Sequence, residues 1–298
     1  MKRINLNKLI ILIFFCFISA GCTIIALEIY SNVFERVESD GSINFWINGY
    51  PREELYFYSG KNRLQGFIYG GENNKGLVVI VHGIKSYADE NYRMIMFLVK
   101  NGWRVFAYNA TGVDGSEGHS MLGLSQGVID LESALAFIKN KNELKNLPVM
   151  LLGYSWGGYS VCAILNFYNR VNAVISLSGF NSIKDITEKQ SVDAAGGIYY
   201  VFSPQIIAIE KQLFGNLTKL TAVDGINKSL IPVMIITCSA DNVVPANTIS
   251  IYAYRKNISN PNAEYIYLDG DDAFGHFLRN YPKEELYIRI NNFLEKFR

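Results

Sequence analysis

An excess of charge of either sign is missing from this chain, in which 28 Lys and Arg stand against 27 Asp and Glu over 298 residues. Such a balance builds no basic field able to release counterions from a nucleic-acid backbone, so nucleic acid is not an expected partner. Cysteine is also scarce, with four in all. Cys16 and Cys22 fall in an apolar N-terminal run, while Cys162 and Cys238 stand in apolar contexts without ligand spacing. Neither a disulfide framework nor a zinc site is expected. Histidine is rarer still, at three, which limits the candidates for any general base. No internal repeat or low-complexity tract is visible. What remains is 49% hydrophobic and 18% charged, a composition that suits one large globular domain or two small ones.

The first thirty residues differ from the rest. Lys2, Arg3 and Lys8 precede an uncharged, mostly apolar run from Leu9 to Leu27. At 1.5 Å per residue that run is about 28 Å long, close to the roughly 30 Å of a bilayer's hydrocarbon. A buried core helix of that length would carry a polar stripe, and this one has none. The favoured reading is an uncleaved membrane anchor over residues 9–27, its basic end in the cytoplasm and the rest of the chain outside. Two alternatives stay open. "FISAGC" ends in the small residues of a signal-processing site, and it also resembles a bacterial lipoprotein signal, which would make Cys22 a lipidated first residue.

Beyond residue 30 the chain reads as one α/β domain, residues 31–298. "ELYFYSGKNRLQGFIYG" predicts a hairpin turning at "SGKN". "GLVVIVHG", "WRVFAYNATG", "PVMLLGYS", "VNAVISLSG", "PVMIITCSAD" and "AEYIYLDG" are short apolar runs that end at small or polar residues. Strands buried on both faces of a parallel sheet read this way. Helices are expected over 92–101, 124–140, 157–168, 246–257 and 283–297, and the alternation means right-handed crossovers in an α/β sheet. About 181–230 breaks the rhythm and contains the apolar "GGIYYVFSPQIIAIEKQLFG". A structureless loop of that length is improbable. It is read as a helical cap over the carboxyl edge of the sheet, or equally as ordinary helices completing the core.

The chemistry centres on "LLGYSWGGYS". Gly153-Tyr154-Ser155-Trp156-Gly157 places a serine in a strand-to-helix turn whose glycines permit a sharp bend, lifting the hydroxyl above the sheet beside a helix N-terminus. A glycine-rich turn alone would be the bland reading. A serine hydroxyl is a weak nucleophile near neutral pH, so it needs a base and a group to orient that base. In such sheets the chain order is Ser, then Asp or Glu, then His. Only His276 follows Ser155, so His82 and His119 are poor candidates for the base, although His119 still qualifies as a residue lining the site. Asp241, in "ITCSADNVVP" after a buried strand, is the favoured acid, with Asp185 as the runner-up; Asp269, Asp271 and Asp272 stand too close to His276 in sequence. Two backbone N–H groups are needed for an oxyanion. Trp156 offers one and Ile84 the other, because Gly83 lets its loop pass close to the serine.

"VHGIKSYADENY", "WRVFAYNATGVDGSEGHS", "PVMLLGYSWGG", "CSADNVVP" and "GHF" occur in the order and spacing of the α/β-hydrolase superfamily, which the chain resembles from about residue 50 to its end. "SEG" and "GYSWGG" look most like its monoglyceride-lipase and serine-aminopeptidase branch. The resemblance implies the α/β-hydrolase fold and a serine hydrolase without cofactor or metal, with Ser155 as nucleophile, Asp241 as acid, His276 as base, and Ile84 and Trp156 as oxyanion donors. Asn109 and Val113 depart from it, standing where relatives often carry an aspartate and a glycine or arginine. The expected function is a membrane-tethered hydrolase of carboxylic esters with an acyl or lipid-like substrate. A peptidase or amidase, or a non-catalytic binding protein of the same fold, is the alternative.

Overall fold

The computed structural model describes residues 21–39, 51–196, 199–269, 275–276 and 283–298. Among the described residues eight strands form one sheet: β1 (Arg52–Ser59), β2 (Asn62–Tyr69), β3 (Leu77–Val81), β4 (Arg104–Tyr108), β5 (Val149–Tyr154), β6 (Ala173–Leu177), β7 (Val233–Cys238) and β8 (Ala263–Leu268). Their spatial order is β1-β2-β4-β3-β5-β6-β7-β8. The β1–β2 hairpin is antiparallel and joins β4 antiparallel, and every other pairing is parallel. This is the α/β-hydrolase fold, as the run pattern and the resemblance led one to expect.

The helices are α1 (residues 21–33), α2 (Tyr92–Lys100), α3 (Gln126–Asn140), α4 (Trp156–Ala163), α5 (Ile183–Ala195), α6 (Tyr199–Phe214), α7 (Ala222–Lys228) and α8 (Lys283–Glu295). Central strands such as β3, LVVIV, and β7, VMIITC, are buried at every position. The two-residue period still sorts their side chains between two cores. Val79, Leu151, Val174 and Ile235 face a core with Leu131, Leu135 and Ile138 of α3. Val78, Met150, Ile175 and Met234 face the other, with Ile95 and Leu98 of α2 and Leu286, Ile290 and Phe293 of α8. Each such side chain contributes about 1.5–3 kcal/mol on burial, so the sheet is a rigid platform for whatever stands on its carboxyl edge.

One expectation meets a different outcome. No α-helix runs over 246–257. Ser250 is extended at φ −65°, ψ 158°, its hydroxyl donates to the Ala246 carbonyl at 2.7 Å and accepts from Ala253 N at 3.1 Å, and only a 3-10 turn over Ile251–Asn257 follows. A serine that satisfies its own backbone neighbours competes with helix formation. Of the expected anchor, residues 9–20 lie outside the described residues. Residues 21–27 belong to α1, and no described helix is long and apolar enough to cross a membrane. α1 packs on the domain through Ala26 and Tyr30, with Phe34 just beyond its end, and all three are buried in the first core.

The interval between β6 and β7 holds α5, α6 and α7, whose Ile183, Ile186, Ile206, Ala222 and Ile226 are buried in the first core. Phe180 at its entry stacks on Tyr159 of α4 with ring centroids 4.8 Å apart. Glu210 of α6 is buried, accepting from the phenol of Tyr30 on α1 and from the Ser125 amide at 3.1 Å.

Candidate active site

β5 ends at Tyr154 and α4 begins at Trp156, so Ser155 alone makes the turn. It sits at φ 54°, ψ −111°, a conformation that costs a non-glycine residue on the order of 1–3 kcal/mol. Its amide donates to the Leu177 carbonyl at 2.8 Å, and its carbonyl accepts from Tyr159 at 3.0 Å. These bonds to β6 and α4 hold the strained residue in place. The flanking glycines are steric requirements. A Cβ on Gly153 would stand 2.1 Å from the Gly157 carbonyl oxygen, and one on Gly157 would stand 2.1 Å from that of Val81.

His276 lies between Ser155 and Asp241. Its Nε2 is 2.9 Å from Ser155 Oγ, and its Nδ1 is 2.9 and 3.0 Å from the two carboxylate oxygens of Asp241. With the Nδ1 proton donated to Asp241, Nε2 is left to accept from the serine hydroxyl. Asp241 follows β7. Its side chain is wholly shielded from solvent, and Oδ1 also accepts from the Val243 and Val244 amides at 3.0 and 2.8 Å. The acid is thereby fixed before it meets the histidine. Asp185 lies elsewhere, in the first turn of α5, accepting from the Tyr254 hydroxyl at 3.0 Å. Asp269 follows β8, and Asp271 and Asp272 lie outside the described residues.

Gly83 brings the loop after β3 against the serine, since a Cβ there would be 3.5 Å from Ser155 Cβ. Ile84 and Ser155 consequently line one cleft. The indole of Trp156 donates to the Leu124 carbonyl at 2.7 Å. That commits its side chain away from the serine, while its amide, at the first position of α4, has no acceptor within the helix.

His82 is built into the scaffold. Its Nδ1 is 2.7 Å from the Gly83 carbonyl, and its Nε2 accepts from the Ala110 amide at 3.0 Å. Burial pushes its pKa down to about 4, against a smaller raising effect of the Gly83 bond, so the ring is neutral at pH 7. His119 is exposed and does not line the cleft. Asn109, a departure from the family pattern, is buried and knits the neighbouring loop together. Its Oδ1 accepts from the Ala88 amide at 2.8 Å and its Nδ2 donates to Gln65 at 2.8 Å. Val113 is buried and bridges to Val37. Nearby, fully buried Asp130 accepts from Ser59, Gln126, and both the amide and hydroxyl of Thr111.

The sequence reasoning missed Tyr154, whose phenol donates to the His276 carbonyl. It occupies a variable position of the serine motif, and no local signal distinguishes it. The walls of the cleft were missed as well. Ile84, Met94, Leu177, Val243, Leu286 and Tyr287 supply apolar surface, with Glu90 and Arg93 as its charged groups. None of the described residues of α5, α6 and α7 lines this cleft.

Comparison with known proteins agrees with this architecture. The family model described as "serine aminopeptidase, S33" matches residues 72–223, a span that contains Ile84, Ser155 and Trp156 and stops before Asp241 and His276. The uncharacterized protein YfhR of Salmonella typhi is 25% identical over 218 residues, covering 68% of this chain and 67% of that protein. The esterase Pf2001 of Pyrococcus furiosus superposes with a TM-score of 0.69 at 16% identity, over 89% of this chain and 98% of that one. The acylaminoacyl peptidase of Pyrococcus horikoshii gives a TM-score of 0.64 at 16% identity, over 88% of this chain and 44% of that one. The last two share the fold with this chain.

Proposed function

We propose that this chain, which belongs to the serine aminopeptidase, S33 family, is a membrane-tethered serine hydrolase that cleaves carboxylic esters of acyl or lipid-like substrates through an acyl-enzyme. The observation that carries the reading is His276 set 2.9 Å from Ser155 Oγ with Asp241 behind it. In the proposed reaction His276 Nε2 takes the serine proton as Oγ adds to the carbonyl carbon. The oxyanion that forms is met by the Ile84 and Trp156 amides, each donor being worth on the order of 10²–10³ in rate. His276 then returns the proton to the leaving alcohol. Water repeats the sequence on the acyl-enzyme, with Asp241 stabilising the imidazolium at each stage.

The apolar walls of the cleft support an acyl substrate over a peptide. An aminopeptidase must hold a substrate ammonium. Glu90 is the one acid among the described lining residues, and it already accepts from Ser86 at 2.5 Å. The tether rests on the uncharged run of residues 9–27 behind Lys2, Arg3 and Lys8, a charge order that supports a domain on the outer face of the membrane.

A fluorophosphonate probe followed by a panel of esters of graded acyl length and of aminoacyl amides tests the reading. Labelling of Ser155 with preference for esters is expected. Faster turnover of the amides would establish the peptidase instead, and no adduct under conditions that label a control hydrolase would establish a non-catalytic binding protein.

A further inference from the structure

The uncharged run ends at Leu27, and Glu28 is the first charged residue after Lys8. The structure shows how little chain then separates that run from the folded domain. Ala26 is fully buried against it, and Tyr30 and Phe34 follow at intervals of four residues. Ile24, Ile25 and Leu27 are 65%, 47% and 50% exposed, and one turn later the outward face of α1 becomes mixed, with Glu28, Ser31 and Asn32 exposed beside the less exposed Ile29 and Val33, at 38% and 42%. An exposed apolar turn that continues a bilayer-length apolar run and gives way to a surface admitting charged and polar residues marks a lipid–water boundary.

Two contacts make α1 a strut. On one side the phenol of Tyr30 donates to buried Glu210 of α6. On the other, Lys85, which follows Ile84, donates to Glu35 Oε1 at 3.1 Å and to the Asn32 carbonyl at 3.4 Å. Asn32 stands only five residues beyond Leu27, about 7.5 Å of helix. The loop that carries a proposed oxyanion donor is therefore held close to the end of the apolar run.

We propose that α1 mounts the hydrolase domain flush on the bilayer, with the Ile24–Leu27 turn at the lipid surface, so that the cleft takes amphiphilic esters from that surface. The proposal rests on the tethered reading above. It is indifferent to how the tether is made, because both a spanning segment and a lipidated Cys22 end within one turn of buried Ala26. A flexible stalk is what it excludes.

The test uses the full chain in phosphatidylcholine vesicles. A photoreactive benzoylphenylalanine at Ile25 is expected to crosslink to lipid, and one at Ser31 is not. A Gly-Ser linker of about 15 residues inserted between Cys22 and Thr23 leaves Ala26, Tyr30 and Phe34 in place. It is expected to lower turnover of a vesicle-borne long-chain ester by about fivefold or more through lost effective concentration, with turnover of a soluble acetate ester and the thermal melt unchanged. Protein that floats with vesicles but shows no lipid crosslink at Ile25, or a linker variant with undiminished vesicle turnover, overturns the flush mount and leaves the tether standing. Protein that fails to float overturns the tether and the mount together. Crosslinking at Ile25 without any ester turnover would retain the mount and sink the esterase.

Discussion

The phenol of Tyr154 donates to the backbone carbonyl of His276, so the residue preceding the proposed nucleophile holds the residue proposed as its base. Their rings lie 5.3 Å apart. Tyr154→Phe removes that one bond and leaves the ring contact. Expected is a kcat lower by about five- to tenfold, the equivalent of a bond worth about 1 kcal/mol, with the melting temperature nearly unchanged. A variant with wild-type kcat would show that His276 is positioned without it.

Ser155 combines the proposed reactive hydroxyl with a strained backbone, and two substitutions separate those properties. Both Ser155→Ala and Ser155→Gly are expected to lose ester turnover by a factor of about 10⁴ or more. Glycine accepts the φ of 54° without strain, so Ser155→Gly should melt at least as high as Ser155→Ala. Calorimetry on the two proteins checks this. Loss of folding in step with loss of activity would mark the serine as structural.

Asp241 and Asp185 were both legitimate acids on chain order, and the structure sets only Asp241 against His276. Asp241→Asn is expected to lower kcat by about 10³–10⁴, because an amide no longer holds the imidazole tautomer or balances the imidazolium. Asp185→Asn keeps an oxygen able to accept from Tyr254 and should hold kcat within about twofold. Steady-state kinetics on a short-chain ester distinguishes the two.

His82 gives the fold a pH dependence with a defined sign. Its pKa is about 4 folded against 6.5 for the free side chain, so between those values the unfolded chain binds the extra proton. Stability is therefore withdrawn as pH falls from 6.5 to 4, by on the order of 3 kcal/mol at the lower end, and nothing is withdrawn above 6.5. Burial raises the carboxyls of Asp130 and Glu210, which work in the opposite direction. The wild-type protein alone thus shows only a sum. The difference in unfolding free energy between wild type and His82→Gln, measured by denaturant titration across this range, is expected to carry the slope. A flat difference would contradict the buried neutral imidazole.

Much of this was legible in the residues because the signals are local. Five buried residues in β3 and six in β7 can only be strands covered on both sides. The turn at Ser155 declares itself through glycines whose absent side chains the backbone needs. His276 was found by elimination among three histidines. The less legible parts depend on contacts across long sequence distances. Leu286 and Tyr287 of α8 and Met94 of α2 meet at the cleft only after the sheet has formed, and no local pattern announces it. Residues 246–257 looked helical by composition, yet the Ser250 hydroxyl wins the local backbone bonds. The Ala26, Tyr30, Phe34 spacing was present in the sequence, but apolar neighbours on every side hid that these three residues pack on the domain.

The contact between Tyr30 and Glu210 spans 180 residues. At synthesis rates of about 5–20 residues per second, Tyr30 leaves the ribosome roughly 9–36 s before its partner exists. Tyr30 is thus made early and placed late, so this contact closes in the reverse of the order of synthesis.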